Sequence, residues 1–371
     1  MTDTRYDALA QVLVHHSCGL QPGEKALIDA NDIPAPFVNT LIRTVAEAGG
    51  HPVVQLKSTR IQRQLLHHAT PEQLEVMAAT ELATMSRVDA YIGVRGNDNV
   101  SDLSDVPTER MKLYEEKVFK PVHMEVRVPK TRWVVLRWPS PSMAQLAEMP
   151  TDAFEDFFFR VCTMDYGRMA EAMEPLRELM DRTDRVRLVA PGTDLRFSIQ
   201  DIPTICCSGQ RNIPDGEVFT APVRDSVEGT IQYNTTTIYR GVTHDDVRLD
   251  FRDGKVVDAH SSQPEHLESI LDSDEGARYV GEFAIGVNPH ITQPMKDILF
   301  DEKIGGSIHF TPGAAYEEAF NGNRSQIHWD MVLRMDPDQG GGEIWFDDQL
   351  VRKDGLFVPD ALQPLNPENL I

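Results

Sequence analysis

The chain changes texture near residue 185, and that change limits the folds open to it more than any other feature. Before it, helical and strand patterns alternate. Leu9, Ala10, Leu13, Val14 and His16 repeat at helical spacing; Lys25–Asp29 is a short apolar run after the turn Gln21-Pro22-Gly23; Phe37, Leu41, Val45 and Ala48 form a helical stripe stopped by Gly49-Gly50; and 52–56 reads as the next strand. Further strands are expected at 89–94 and 132–138, and a helical stretch from Thr151 to about Asp181, with Asp152 and Glu155 in capping-box spacing. Such alternation implies an open, largely parallel α/β sheet.

After residue 185 the runs shorten, as in 193–199, 229–233 and 247–251, separated by Gly, Pro, Asn and Asp. They imply a strand-rich α+β domain, mostly antiparallel, with a helix around Pro264 to Leu271. The expected division is therefore 1–185 for an N-terminal α/β domain and 186–371 for a C-terminal domain that carries the chemistry.

Charge narrows the function. With 36 Lys+Arg against 58 Asp+Glu the formal charge is -22, which opposes binding to a phosphate backbone or an anionic membrane surface. The opening residues Met1 to Asp7 carry no cationic stretch followed by an apolar one, and no apolar run approaches the roughly 18 residues of a bilayer span, so a cytoplasmic protein is expected. Cys18, Cys162, Cys206 and Cys207 are too few to staple 371 residues, and reduced, buried thiols are expected.

The residues that point to chemistry lie in the second half. In Gln326-Ile-His-Trp-Asp-Met-Val332 a strand would send Ile327, Trp329 and Met331 to one face and His328 with Asp330 to the other, a donor pair suited to a zinc-type divalent ion. His309 alternates with Ile308 and Phe310 in the same way. Glu282 stands in the uncharged run 279–286, where burial without a partner would cost several kcal/mol. Glu217 opens an apolar strand after the turn Ile213-Pro-Asp-Gly216. Glu302 lies in the charged triplet Asp301-Glu-Lys303, and Tyr316 follows His309 by seven residues. Taken alone, each could equally be a core histidine, a strand-edge carboxylate or an aromatic with a wet hydroxyl. The chain has no phosphate-binding glycine loop, dinucleotide fingerprint, nucleophile elbow or His-Glu-x-x-His helix.

Together, 212–222, 275–282, 301–309 and 325–330 resemble the ordered signature blocks of the aminopeptidase T / aminopeptidase S metallopeptidase family, with support from 133–139 and 143–146. The resemblance implies a cytoplasmic homodimeric exopeptidase with two divalent metal ions, of the zinc, cobalt or manganese type, in the C-terminal domain, acting on peptides with a free N-terminus. It matches Glu217, Glu282, His309, His328 and Asp330 to metal ligands, and Glu302 and Tyr316 to further site residues that ligate or take part in catalysis. The implied reaction is attack of a metal-activated water on the first peptide bond, with Glu302 relaying the proton and Tyr316 at the oxyanion or the metal.

Two other functions use the same residues. His309, His328 and Asp330 are the ligand inventory of a mononuclear Fe(II) oxygenase, and a ring-cleaving dioxygenase of dihydroxypyridines resembles this peptidase family; Glu217 and Glu282 argue against it, because one iron needs open positions rather than extra acids. A non-catalytic acidic α/β binding protein would keep these groups as structural polar residues and hold no metal.

Overall fold

The computed structural model describes residues 3–96 and 98–371, so Met1 and Thr2 of the opening segment lie outside it. The chain divides into two compact units: 1–163 with 209–213, and 164–208 with 214–371. This differs from the division expected at residue 185. Helix Tyr166–Asp181 belongs to the second unit, where it buries Tyr166, Met169, Met173 and Leu176 and packs against strands Ile205–Cys207 and Glu217–Thr220. The change of texture at residue 185 marks the first strand after that helix.

In the first unit, among the described residues, a five-stranded sheet runs in the order His51–Lys57, Lys25–Asn31, Ala90–Arg95, Arg132–Arg137, Asn212–Ile213, parallel throughout. Helix Ala35–Glu47 covers it with Phe37, Leu41 and Val45, all fully buried. Phe37 packs against Trp138 with ring centres 4.6 Å apart. The central strands carry one polar knot: Tyr91 Oη donates to Asp29 Oδ2 at 2.7 Å, with Arg95 at 3.3 Å and Lys57 at 3.4 Å from the same carboxylate. Helix Thr151–Cys162 buries Phe154, Phe157, Phe158 and Val161 as expected, but its N-cap is Pro150 and no side chain caps it. Asp152 sits inside the first turn, so the capping box does not form.

Among the described residues the second unit has two large antiparallel sheets and the small antiparallel pair Thr237–Tyr239 with Val242–His244. One large sheet has the order Lys255–His260, Arg248–Arg252, Glu228–Gln232, Thr193–Ser198, Arg185–Ala190, Glu343–Phe346, Gln349–Lys353, Leu356–Phe357. The other large sheet has the order Val332–Arg334, Ser307–Pro312, Val280–Gly286, Glu217–Thr220, Ile205–Cys207. Between them Phe197 of the first sheet meets Phe283 and Phe310 of the second at 5.0 and 5.1 Å, an aromatic layer that fixes which face of the second sheet is core. Because side chains alternate along a strand, the opposite face receives Glu217, Glu282 and His309. Helix Pro264–Leu271 forms where expected.

All four cysteines are free; Cys18 and Cys162 are buried, whereas Cys206 and Cys207 are only partly so, because their short strand lies at the sheet's edge. Among the described residues no helix is long and apolar enough to cross a membrane.

In the first unit the titration of His123 bears on stability. His123 is 5% exposed and accepts from Arg127 Nε at 3.1 Å; burial, then the charges of Arg127, Arg95 and Lys57, push its pKa down to about 4. An unfolded histidine takes up a proton near pH 6.5 that folded His123 refuses until about pH 4, so its contribution is intact above pH 6.5 and is lost as the pH falls through that window. Urea denaturation at pH 7 and pH 5 is expected to give a smaller loss of stability for His123→Gln than for the wild type; equal losses would contradict this assignment.

Candidate metal centre

The carboxylate Glu217 is placed by a turn that needs a glycine. Gly216 has φ 135°, and a Cβ there would lie 2.9 Å from Asn288 Cβ, so the chain reverses tightly before the strand begins. Glu282 is placed by an equally close approach: a Cβ on Gly281 would lie 2.2 Å from the Ala314 carbonyl oxygen. Antiparallel pairing then sets Ala284 opposite His309 and Glu282 opposite Thr311. Buried Arg352 donates to the carbonyls of Ser307 at 2.9 Å and Gly286 at 3.2 Å, tying the ends of these two strands together.

The segment expected to deliver His328 and Asp330 as a strand is irregular: only 332–334 is ladder, and His328 makes a single bridge to Gly313. Its alternation nevertheless holds. Ile327, Trp329 and Met331 are buried at 1%, 2% and 0% exposure, while His328 and Asp330 face the other way, and Thr311 Oγ1 donates to Asp330 Oδ1 at 2.7 Å.

These elements bring six of the seven residues singled out in the sequence into two contiguous sets. Potential ligand atoms of Glu217, Glu302 and His309 lie within 4.8 Å of one another, and so do those of Glu282, His328 and Asp330. His309 Nε2 links the sets, at 3.1 Å from Glu282 Oε1 and 3.5 Å from Glu217 Oε2. Tyr316 belongs to neither set; its ring lies 4.6 Å from that of His328, and the residue is half exposed.

Two residues that sequence reasoning passed over sit inside the cluster. Lys303, 1% exposed, places Nζ 2.5 Å from Glu217 Oε1, 2.6 Å from Glu302 Oε1 and 3.7 Å from Asp215 Oδ1. Asp215, 2% exposed, also forms a third close group with Cys207 and Glu217. A charged triplet before two glycines reads as a solvated turn, so nothing local marked Lys303 as buried. The only signal was the conflict between Glu217 and Glu302, which need a cation between them.

Electrostatics follow from this packing. Burial pushes Glu217 above the ordinary carboxylate value, against the pull of Lys303 and His309. Burial, reinforced by Glu217 and Asp330 and opposed by Lys303, pushes Glu302 up to about 8. Glu282 is held low against its burial by the hydrogen bond with His309, and Asp330 well below its usual range by the His328 charge. Burial disfavours the imidazolium of His309, yet the bond to Glu282 and the charge of Glu217 raise it to about 9.

Within the cluster, three buried atoms have no hydrogen bond: Glu217 Oε2, His309 Nδ1 and His328 Nε2. His328 is the most telling. Its Nδ1 donates to the Ala314 carbonyl at 2.8 Å, and Nε2 faces Asp330 Oδ1 at 3.1 Å and Glu282 Oε2 at 3.3 Å with hydrogen-bond geometry to neither; without an ion the two carboxylates favour a proton on that nitrogen, and a divalent cation would take the proton's place. Electron-pair donors converge there, and the other ring nitrogen is anchored on a carbonyl as a metal-ligating histidine usually is. The residues fit a divalent cation.

The thermophilic metalloprotease (M29) family matches residues 2–348. The chain belongs to that family. Aminopeptidase 2 of Geobacillus stearothermophilus is 28% identical over 355 residues, covering 84% of this chain and 83% of that protein. Aminopeptidase T of Thermus aquaticus is 25% identical over 403 residues, covering 95% of each. Among solved structures, wild-type AmpT from Thermus thermophilus superposes with a TM-score of 0.80 at 21% identity, over 96% of this chain and 99% of that one. The 2,5-dihydroxypyridine dioxygenase of Pseudomonas putida KT2440 gives 0.61 at 14% identity, over 98% and 99%. Both show the fold, two units with a parallel sheet in one and antiparallel sheets in the other, and the fold alone does not choose between their chemistries. Membership of the M29 metalloproteases implies metal ions, and the acid–histidine clusters are the groups that could hold them.

In this metalloprotease Lys303 supplies a permanent charge to a cluster that is otherwise acidic. Removing one partner of a buried ion pair typically costs about 3–5 kcal/mol. Lys303→Met is therefore expected to lower the stability of the metal-free protein by about 3 kcal/mol, with part of the loss regained when zinc or manganese is added. Denaturant titrations of both proteins in chelator and in metal check this; equal stability in chelator would contradict it.

Proposed function

We propose that this chain is a metallo-aminopeptidase that removes the first residue of peptides, with one divalent cation held by Glu217 and His309 beside Glu302, a carboxylate not fully used in ligation, and a second by Glu282, His328 and Asp330. The observation that carries the reading is His328 Nε2, buried without a hydrogen bond between two carboxylate oxygens while its Nδ1 is committed to a carbonyl. The names of the curated relatives support the activity. The family resemblance further supports zinc, cobalt or manganese as the metal and a cytoplasmic homodimer as the working form.

Two divalent ions in such sets would supply Lewis-acid polarisation of the scissile carbonyl and a water of near-neutral acidity. The chain's own groups do the rest. Lys303 holds Glu302 by Oε1 at 2.6 Å, which leaves Oε2 to take a proton from the attacking water and return it to the leaving nitrogen. The Tyr316 hydroxyl donates a hydrogen bond to the oxygen on which charge develops. Carboxylates at the end of the site receive the substrate's free ammonium, which restricts cleavage to the first bond. The ring-cleaving alternative uses His309, His328 and Asp330 alone, and the presence of Glu217, Glu282 and Glu302 within the same buried cluster weighs against it.

The purified protein is expected to hydrolyse aminoacyl p-nitroanilides, to lose activity in chelator, and to regain it with zinc, cobalt or manganese. Glu302→Gln should lower kcat by roughly 10²- to 10⁴-fold, the range of a proton-transfer group, and Tyr316→Phe by about 10²-fold, the range of an oxyanion donor. One bound iron with oxygen uptake and no peptide cleavage would establish the dioxygenase instead. Absence of metal together with indifference to chelator would leave only the binding-protein reading.

A further inference from the structure

We infer that Asn288 and Tyr166 are positioning residues for the first cation: together they hold the backbone of Asp215 by its carbonyl and its N–H, and so fix Glu217 against Glu302. The inference rests on the two-cation peptidase reading above and adds to it which residues set the geometry of one cation position and not of the other.

Glu217 opens its strand just after the chain re-enters the second unit at Pro214. The turn before it is held by side chains. The Asp215 N–H donates to Tyr166 Oη at 3.2 Å, and the Asp215 carbonyl accepts from Asn288 Nδ2 at 2.7 Å. Tyr166 begins the helix Tyr166–Asp181, and Asn288 follows the strand that carries Glu282. Both are buried, at 2% and 0% exposure.

Asn288 also joins this turn to the loop that brings Glu302. Its own N–H donates to the Lys303 carbonyl at 3.0 Å, and its carbonyl accepts from Gly305 N at 3.1 Å, a parallel bridge centred on Ile304. That backbone half of the connection survives a substitution; the side-chain half does not. A carboxamide suits the place because Oδ1 accepts from His290 N at 3.0 Å while Nδ2 donates to Asp215, so one acceptor and one donor are needed side by side. An alanine would leave a buried carbonyl short of its donor.

The second set is anchored elsewhere. Glu282 is held through Phe283 and the aromatic layer behind it. His328 and Asp330 flank Trp329, which stacks on Tyr239 with ring centres 4.7 Å apart and donates from Nε1 to Thr237 Oγ1 at 3.1 Å. Loss of the Asp215 anchors should therefore loosen Glu217 and spare Glu282, His328 and Asp330.

Calorimetric titration of manganese into the metal-free whole chain tests this in two backgrounds. With the second set disabled by Glu282→Gln, Asn288→Ala is expected to weaken the remaining cation by about 10- to 100-fold, the usual cost of losing a group that orients a metal ligand, and Tyr166→Phe, which deletes one oxygen, by about tenfold. With the first set disabled by Glu217→Gln, neither substitution should move the remaining Kd. In the otherwise unaltered enzyme saturated with manganese, Tyr166→Phe should lower kcat for leucyl p-nitroanilide by about tenfold and leave KM unchanged. A merely structural role would lower the unfolding midpoint of the chelated protein without separating the two backgrounds. Equal shifts of Kd in both, or a shift in neither, would thus overturn the inference and leave the two-cation reading standing. Should Asn288→Ala not fold, Tyr166→Phe decides alone. If the unsubstituted protein binds no manganese and cleaves no aminoacyl anilide, that reading and this inference fall together.

Discussion

Buried carboxylates cannot share a dry pocket unless positive charge is brought to them, and the second unit is organised around that constraint. Asp215, Glu217, Glu282, Glu302 and Asp330 converge on the same side of one sheet. Lys303 supplies one positive charge, and two divalent ions would supply the remaining four, making the cluster neutral. Without ions the two histidines have to carry protons, which is why His309 is raised to about 9 and His328 is raised as well. The aromatic layer of Phe197, Phe283 and Phe310 on the opposite face keeps the strands in register. The strand positions of Glu282 and His309 are thus held by packing on the face away from the cluster.

Most of this was legible because strand alternation is a local property. Glu282 beside Phe283 and His309 between Ile308 and Phe310 declare their faces without any knowledge of partners. The segment 326–332 is instructive, since its alternation survives although most of it makes no ladder: Trp329 is anchored by Tyr239 and by Thr237, and a side-chain clamp replaces backbone pairing. What stayed hidden depends on distant contacts. Lys303 reads as a turn residue until Asp215 and Glu217 close on it from a distant part of the chain. Asp215 reads as part of a Pro-Asp-Gly bend, and its burial follows from packing that no short window contains. Helix Tyr166–Asp181 looks like the end of the α/β half because the periodicity of a helix does not say which sheet its apolar face covers. Asp152 has the spacing of a cap, but the N-cap is Pro150, two residues earlier, and Asp152 lies inside the first turn.

The fold is shared with a ring-cleaving dioxygenase at a TM-score of 0.61, which shows how little the scaffold alone decides. Here two sets of donors, rather than one facial triad, stand within the same cluster, and His309 Nε2 lies between them, close to Glu282 and to Glu217. Three of these groups, Glu217, Glu282 and His309, come from one sheet face, and Glu302, His328 and Asp330 reach the cluster from the helix end and the irregular segment beside it. Lys303 then serves as a fixed tether that orients Glu217 and Glu302 through one oxygen of each.

The positions at which cations bind test the arrangement of the cluster most directly. Anomalous-difference maps from crystals of the whole chain soaked in manganese or zinc are expected to show two peaks, one among Glu217, Glu302 and His309 and one among Glu282, His328 and Asp330. A single peak coordinated by His309, His328 and Asp330 alone, or no peak within the cluster, would contradict it.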